Sequence, residues 1–216
     1  MFASIRRYRL RHGAMEELAS RVDESFAEEL RAQPGFMSYE FIDCGEREIM
    51  TISMFDEADQ AEASRELAER WTQEHLRDME FARIEALHGG ARVSRADEEM
   101  LEPAHARMAG KFASIRRYVM RSGEISELMH IVDQVFADQI RAMDGFEAYH
   151  ALDCGRDGIL SISMFRDQSS AEESDDQALQ FVREHLGDFG MERSEVIGGE
   201  VLVSRALAEL LQPAHA

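Results

Sequence analysis

The sequence predicts an α+β protein made of two β-α-β-β-α-β units, and two observations lead to that fold class. The first is an internal repeat: the heptapeptide FASIRRY stands at residues 2–8 and again at 112–118. Residues 2–106 align with 112–216 without a gap, and roughly half of the aligned positions are identical. The second is that both copies show strand and helix periodicities in the same order. Two long copies indicate a duplicated domain, because solenoids need three or more shorter units.

Each copy opens with a strand followed by a helix. FASIRRY is rich in β-branched and aromatic residues, which favour a strand, and Gly13 or Gly123 interrupts the pattern after it. Apolar residues then recur every three or four positions, which is typical of a helix with one buried face. They are Met15, Leu18, Val22, Phe26 and Leu30 in the first copy, and Ile125, Leu128, Val132, Phe136 and Ile140 in the second. Pro34-Gly35 ends the first of these helices.

A hairpin comes next in each copy. Two strands are predicted at about 36–44 and 47–55, and the turn between them lies near Gly45. In the second copy the dipeptide Asp157-Gly158 is typical of a tight hairpin turn. The second of these strands is apolar on both faces, so the face that the helices leave bare needs a cover.

A second helix and a fourth strand complete the copy. The helix begins near Asp59 or Ser169, and the glutamate three residues later in each copy fits a capping box. The predicted ranges are about 59–76 for the helix and 86–94 for the strand in the first copy, and about 169–186 and 195–204 in the second. Glycine pairs at 89–90 and 198–199 indicate a bulge or turn in this strand. A short terminal helix is predicted before each PAHA.

The order β-α-β-β-α-β is the ferredoxin-like arrangement, an antiparallel sheet with helices on one face. The second copy is available to cover the bare face of the first, as the partner subunit does in a homodimer. We therefore predict two domains, 1–106 and 112–216, with a linker at about 96–111. The fused chain is then self-sufficient as a monomer, with higher assembly left open.

Composition argues against several classes of function. The chain has a formal charge of −19 and a pI of about 4.8, whereas nucleic acid or an anionic membrane would require a basic protein. No apolar stretch has the length of a membrane span or a signal peptide, so we expect a cytoplasmic location. Cys44 and Cys154 lie outside any metal-ligand spacing, and no motif such as HExxH occurs. We expect neither a metal nor another cofactor.

Five features recur at equivalent places in both halves. They are the opening strand ASIRRY, a GF before the second strand, the third strand TISMF or SISMF, an acidic, alanine-rich helix ending in EHL, and the strand VSR. With them each half resembles the antibiotic-biosynthesis-monooxygenase-like (ABM) domains of the dimeric α+β barrel proteins. The resemblance implies two sheets that close a barrel, helices outside it, and a cleft between helix and sheet in each half.

The resemblance also implies a range of activities: cofactor-free oxygenases, haem-degrading enzymes and isomerases. Oxygenases and haem-degrading members of the family commonly use an asparagine on the first strand. This chain has no asparagine and offers Ser4 and Arg6 there, which weakens the haem-degrading interpretation.

The second helix carries the first set of candidate site residues. One of its stripes is small in the middle and ends in an aromatic ring and an imidazole. It consists of Ala61, Ser64, Ala68, Trp71 and His75 in the first copy, and Ala171, Ser174, Ala178, Phe181 and His185 in the second. One interpretation is a ligand cleft in which Trp71, His75 and His185 act in catalysis and Phe181 binds the ligand. The other is close packing on the sheet, with each histidine favoured by the helix dipole.

Arginines and tyrosines of the first strand form the second set. Arg6 and Arg7 are neighbours and point to opposite faces, so at least one guanidinium is predicted to be partly buried. It then needs an internal carboxylate or a bound anion, and we favour the ion pair; the same holds for Arg116. Tyr8 and Tyr118 share a face with these arginines. They either hydrogen-bond a phenolic or quinone-like ligand or serve as core side chains.

Three functions stay open at this point. The first is a cofactor-independent monooxygenase acting on a small aromatic or quinone-like molecule. The second is a non-catalytic barrel that binds a small molecule or takes part in stress responses, and the third is an interaction module that uses its acidic helices. Oxygen uptake would separate the first from the second, and a cleft with no room for a ligand would favour the third.

Overall fold

The structure is a computed structural model and describes residues 1–106 and 110–216. The strands are β1 (Phe2–His12), β2 (Phe36–Asp43), β3 (Glu48–Phe55), β4 (Glu80–Ala96), β5 (Phe112–Val119), β6 (Phe146–Asp153), β7 (Ile159–Phe165) and β8 (Glu192–Ala206). The helices are α1 (Met15–Arg21), α2 (Ala27–Arg31), α3 (Ala58–His75), α4 (Ile125–Ile131), α5 (Ala137–Arg141) and α6 (Gln168–His185). None of these described helices combines the length and the apolar character that crossing a membrane requires.

The strands form a closed antiparallel barrel, in the order β1-β3-β2-β8-β5-β7-β6-β4. The α+β class and the barrel expected from the sequence are therefore confirmed. The two copies of FASIRRY occupy matching registers, because Arg6 lies opposite Thr51 on β3 and Arg116 lies opposite Ser161 on β7.

The first helix of each half contains a wider turn. Residues Val22–Phe26 are π-helical and join α1 to α2, and Val132–Phe136 join α4 to α5 in the same way. Single π-helical turns inside α-helices are frequent at functional sites. In the first half the turn buries both Val22 and Phe26.

Two compact units make up the chain, and each takes residues from both halves of the sequence. The first comprises Met1–His88, Leu101–Gly110 and Gly199–Leu210, and the second comprises Gly89–Met100, Lys111–Gly198 and Leu211–Ala216. The core of the first unit accordingly includes Val203, and the core of the second includes Val93. The repeat boundary between 106 and 112 stays a prediction, and residues 107–109 of the predicted linker lie outside the described residues.

Some local features differ from the sequence predictions. Strand β4 begins at Glu80, six residues before the predicted start. The capping box of α3 is formed by Glu57 and Gln60 rather than by Asp59 and its following glutamate. The box lies earlier because β3 ends at Phe55 and the helix starts as soon as the chain leaves the sheet. The predicted terminal helices before each PAHA are single 3₁₀ turns.

In the last strand the glycine pair does not form a turn. Instead, Gly199 allows the backbone of a neighbouring strand to lie close to it. The register shift of β8 against β2 lies beyond the pair, between Val201 and Val203. Gly199 itself stays in the strand, and a Cβ added there would lie 2.4 Å from the carbonyl oxygen of Asp43. Because that neighbour is backbone, it cannot move aside without disturbing the sheet.

Replacing Gly199 by alanine is therefore expected to lower the free energy of unfolding by about 1–3 kcal/mol, the usual cost of overpacking. Urea denaturation measures the change. Gly187→Ala is the control, since a Cβ at Gly187 would meet nothing within 4 Å. A Gly199 variant no less stable than the Gly187 variant would contradict the close-approach argument.

Candidate functional site

A cavity lies in the first unit between the sheet and the helices. About 510 Å³ is unfilled, counting its opening to solvent, and about 60 Å³ of this admits the centre of a water-sized sphere. One water needs only about 10–15 Å³ by the same measure. Six aromatic side chains line the space: Tyr8, Phe26, Tyr39, Phe41, Trp71 and Phe81. The small side chain of Ala68 on α3 also lines it, as the predicted stripe of small residues suggested.

Trp71 is held in place on both faces and by its ring nitrogen. Its Nε1 donates to Ser25 Oγ at 2.9 Å, and Ser25 belongs to the π-helical turn of the first helix. The indole packs against Phe26 at a centroid distance of 5.1 Å and against His75 at 5.0 Å. The π-helical turn and α3 therefore fix one wall of the cavity together.

Arg6 brings a positive charge into these mainly apolar surroundings. The residue is 4% exposed, and no partner among residues 1–106 and 110–216 hydrogen-bonds to its Nη2 atom. Burial lowers the pKa of this guanidinium below its usual value, and the phenols of Tyr8 and Tyr39 partly oppose that effect. Arginine nevertheless remains a cation in proteins. The side chain thus presents a buried, charged donor at the wall of the cavity.

Arg116, at the equivalent place in the second unit, is fully paired. The residue is 0% exposed, and its Nε donates to Asp175 Oδ1 on α6 at 2.6 Å. Its Nη1 donates to Ser163 Oγ at 3.0 Å, and its Nη2 donates to Ser174 Oγ. The internal ion pair that we favoured from the sequence is present here, with a helix carboxylate as the partner.

The difference between the paired Arg116 and Arg6 arises from one position on the second helix of each half. Asp175 corresponds to Arg65, which lies 110 residues earlier in the chain. Arg65 forms an ion pair with Glu62 of its own helix at 2.9 Å. The first unit therefore lacks the carboxylate that neutralises the strand arginine in the second. An alignment of the two copies shows this exchange, although neither residue was among the predicted site residues.

The second unit has a smaller cavity at the corresponding place. About 30 Å³ of it admits the centre of a water-sized sphere, half the value of the first unit. Phe181 and Tyr118 are among its lining residues, whereas Arg116 is not. Burial raises the pKa of Tyr118, and the positive charges of Arg116 and Arg193 partly oppose that effect. The predicted ligand-binding residues of the two copies thus lie in different surroundings.

Tyr8 and Tyr39 place two hydroxyl-bearing rings beside Arg6. Tyr8 packs edge-on against Phe81 at 5.8 Å, and Tyr39 packs edge-on against Phe26 at 5.5 Å. Burial raises the pKa of both phenols, so both are protonated at neutral pH. Each can donate a hydrogen bond to an oxygen in the cavity.

His75 and His185 lie outside the two cavities. His75 is exposed at the end of α3, where it stacks on Trp71 at an angle of 13° and its Nδ1 lies 3.0 Å from the Trp71 carbonyl oxygen. His185 is also exposed, with its ring 5.1 Å from that of Phe181. Among the described residues that line either cavity there is no histidine and no carboxylate. This geometry fits the packing interpretation, and a catalytic role for the two histidines stays a prediction.

The repeated VSRA and PAHA motifs meet at one aspartate in each unit. In the first unit Asp23, in the π-helical turn, accepts from Arg205 Nη2 at 2.7 Å and from the Ala106 N–H at 3.2 Å. The Nδ1 atom of His105 lies 3.1 Å from the same carboxylate. The second unit repeats the arrangement with Asp133, Arg95, Ala216 and His215. These aspartate clasps anchor the π-helical turns, a role that was not predicted for the two motifs.

Comparison by sequence finds no relative: no family model matches the chain, and no curated protein matches it. Solved structures do match. A provisionally assigned monooxygenase from Fusobacterium nucleatum has a TM-score of 0.68 and 7% identity, covering 99% of this chain and 94% of its own. One from Lactobacillus acidophilus has a TM-score of 0.66 and 8% identity, covering 95% of each chain.

An anthrone oxidase-like protein has a TM-score of 0.53 and 12% identity, covering 97% of this chain and 95% of its own. At such low identities the likeness concerns the backbone and not the side chains of any site. What the comparisons establish is the fold: this chain is an α+β barrel of the same architecture as these monooxygenase-like proteins.

Proposed function

We propose that the protein binds a small aromatic or quinone-like molecule in the cavity of the first unit. The observation that carries the proposal is a cavity walled by aromatic rings with a few polar groups, which is the usual composition of a small-molecule site. Flat rings favour offset or edge-to-face contact with the side chains that line it. The hydroxyls of Tyr8 and Tyr39 are positioned to orient a polar substituent of the ligand.

The single tryptophan of the chain makes this proposal easy to test. Uniform ¹⁵N labelling gives one indole N–H resonance, from Trp71 in the cavity wall. Adding benzamide or phenol at millimolar concentration is expected to shift this resonance saturably. If neither compound moves it, the proposed function is wrong.

A cavity-filling variant gives the matched mutational test. Ala68→Leu puts a larger side chain into the cavity and is expected to weaken benzamide binding by about ten-fold, or about 1.4 kcal/mol. Ala63→Leu is the control, since Ala63 lies exposed on the same helix. Equal affinities of the two variants, measured by the indole shift, would place the binding site elsewhere.

Oxygenation of such a ligand is the second candidate function, favoured by the monooxygenase and anthrone oxidase-like names of the fold neighbours. With anthrone as substrate, the ring CH₂ would become C=O. O₂ would supply that oxygen atom and leave its other atom as water, so the carbon loses the four electrons that O₂ gains. This function would be supported if the native chain consumed oxygen in the presence of anthrone and the Arg6→Met variant consumed it more slowly. Binding without uptake would leave a non-catalytic binding barrel.

We also infer that the two halves are ABM-like, ferredoxin-like units joined by duplication, and that the chain is a monomer with a mass of 24.6 kDa. Support comes from features that both halves share: the order of elements, the register of FASIRRY, the π-helical turn and the aspartate clasp. Light scattering that gave twice this mass would contradict the monomer.

A further inference from the structure

We propose that the ligand of the first unit is an aromatic anion whose charged oxygen lies against Arg6, and that the second unit has lost the equivalent site to its own aspartate. This inference rests on the proposed function and adds the charge of the ligand and the number of sites. The chemical class is a ring that carries a carboxylate, enolate or phenolate.

No described residue that lines the first cavity supplies a counter-charge to Arg6. A buried cation without a partner is costly, because desolvation is not offset by an ion pair. Arg6 is 96% shielded from solvent, and its Nη2 is without a hydrogen-bond acceptor among all described residues. A bound anion would supply the missing acceptor, and a guanidinium is the side chain best shaped for a carboxylate.

The charges around Arg6 also favour an anion. Arg83 on β4 acts on Arg6 as a further positive charge, while Glu62 partly compensates. Glu62 is exposed and ion-paired with Arg65 at the helix surface. Glu62, the carboxylate that acts on the charge of Arg6, is thus paired outside the cavity. The positive charge at the cavity wall therefore favours a negatively charged ligand.

The second unit pairs the equivalent arginine internally. In the second unit Asp175 supplies an internal anion to Arg116, and Ser163 and Ser174 satisfy both terminal nitrogens. No guanidinium nitrogen of Arg116 is without a partner in the described part of the chain, and the arginine does not line the smaller cavity. In the second unit, therefore, the carboxylate of Asp175 occupies the place that the anion of a ligand takes in the first unit.

The experiment compares benzoate with benzamide, which has nearly the same shape and no charge. In the unmodified protein, benzoate is expected to bind at least about ten-fold more tightly than benzamide, with one site per chain by calorimetry. Equal affinities would overturn the anion preference while leaving the proposed function standing. Two equivalent sites would overturn the loss of the second site, and binding of neither compound would reject the proposed function itself.

Arg65→Asp tests the cause directly, because it introduces the carboxylate that the second unit has. Benzoate affinity is expected to fall about ten-fold or more, with benzamide affinity changed less than about two-fold. Arg70→Asp makes the same charge change at an exposed position of the same helix and is expected to change neither affinity appreciably. Equal losses in the two variants would mean that overall charge, not pairing with Arg6, controls binding.

Arg6→Met is a second variant, and unlike Arg65→Asp its expected effect does not depend on the formation of a new ion pair. It removes a buried charge without leaving a partner unpaired, so the fold is expected to persist, as circular dichroism would verify. Benzoate and benzamide should then bind with similar affinities. A preference for benzoate retained in this variant would overturn the assignment of the anion to Arg6.

Discussion

Replacing Asp133 by alanine is expected to lower the free energy of unfolding by about 3–5 kcal/mol, the usual cost of removing one partner of a buried ion pair. Asp133 is 7% exposed, and its Oδ1 lies 2.5 Å from Nη2 of Arg95, whose side chain is also 7% exposed. The carboxylate also accepts from the Ala216 N–H at 3.2 Å. Its loss would leave the buried Arg95 with two carbonyl oxygens, the His215 ring nitrogen and the more distant Asp138 carboxylate as its remaining partners in the described structure. It would also remove one anchor of the C-terminal segment.

Asp138→Ala is the matched control. Asp138 faces the same arginine, with 4.0 Å between its Oδ1 and Arg95 Nε, but its side chain is 75% exposed. Exposed ion pairs contribute little, so a change within about 0.5 kcal/mol is expected. Urea denaturation at neutral pH measures both variants. Similar losses of stability in Asp133→Ala and Asp138→Ala would show that burial does not determine how strongly the ion pair with Arg95 stabilises the fold.

The difference between the native chain and Asp133→Ala should also depend on pH. Burial alone raises the pKa of Asp133, but Arg95, His215 and the Ala216 N–H outweigh it and hold the pKa below the usual value of 3.8. A carboxyl group with a lowered pKa stabilises the folded state above its unfolded pKa, and this stabilisation is lost as the pH falls through the folded pKa. The stability difference is therefore expected to be constant near neutral pH and to shrink below about pH 4.

Replacing Asp175 by alanine is expected to lower the free energy of unfolding by about 2–4 kcal/mol. The variant would leave the guanidinium of Arg116, which is 0% exposed, with serine hydroxyls as its remaining partners in the described structure. The cost is set below that of Asp133 because the Asp175 side chain is 28% exposed, so water can partly replace it.

Asp176→Ala is the control for this second prediction, since Asp176 is the exposed neighbour on the same helix. Its replacement should change the stability by less than about 0.5 kcal/mol in the same urea experiment. The double variant Arg116→Met, Asp175→Ala should recover part of the loss, because a pair removed together leaves no buried charge. A double variant less stable than Asp175→Ala alone would contradict the account of an uncompensated arginine.

Much of the fold was predictable because the signals are local. The period of apolar residues predicted the first helix over Met15 to Leu30, and β-branched residues predicted the strand FASIRRY; both elements are present. The π-helical turn at Val22–Phe26 was not predicted, because the four-residue spacing of the apolar side chains there also occurs in an ordinary α-helix. The start of β4 at Glu80 was missed because that segment mixes charged and apolar residues and none of its first six is fully buried.

The candidate site was predictable only in part. The stripe on the second helix correctly suggested a cavity beside Ala68 and Trp71, because small side chains facing a sheet leave space. The position of His75 outside the cavity could not be predicted. The spacing of residues gives the face of a helix on which they lie, but not how far along the helix the cavity extends. The role of VSRA and PAHA was also missed, because Asp23 lies far from both motifs in the chain.

By itself the sequence determined the α+β class and the equivalence of the two FASIRRY strands, because hydrophobic periodicity and repetition are properties of neighbouring residues. Whether an arginine of that strand is paired was decided only by the tertiary structure. Arg6 and Arg116 stand in identical heptapeptides, yet the carboxylate that neutralises Arg116 comes from Asp175, 59 residues further along the chain. The first unit has Arg65 at the corresponding place, so folding pairs one arginine internally and leaves the other facing a cavity.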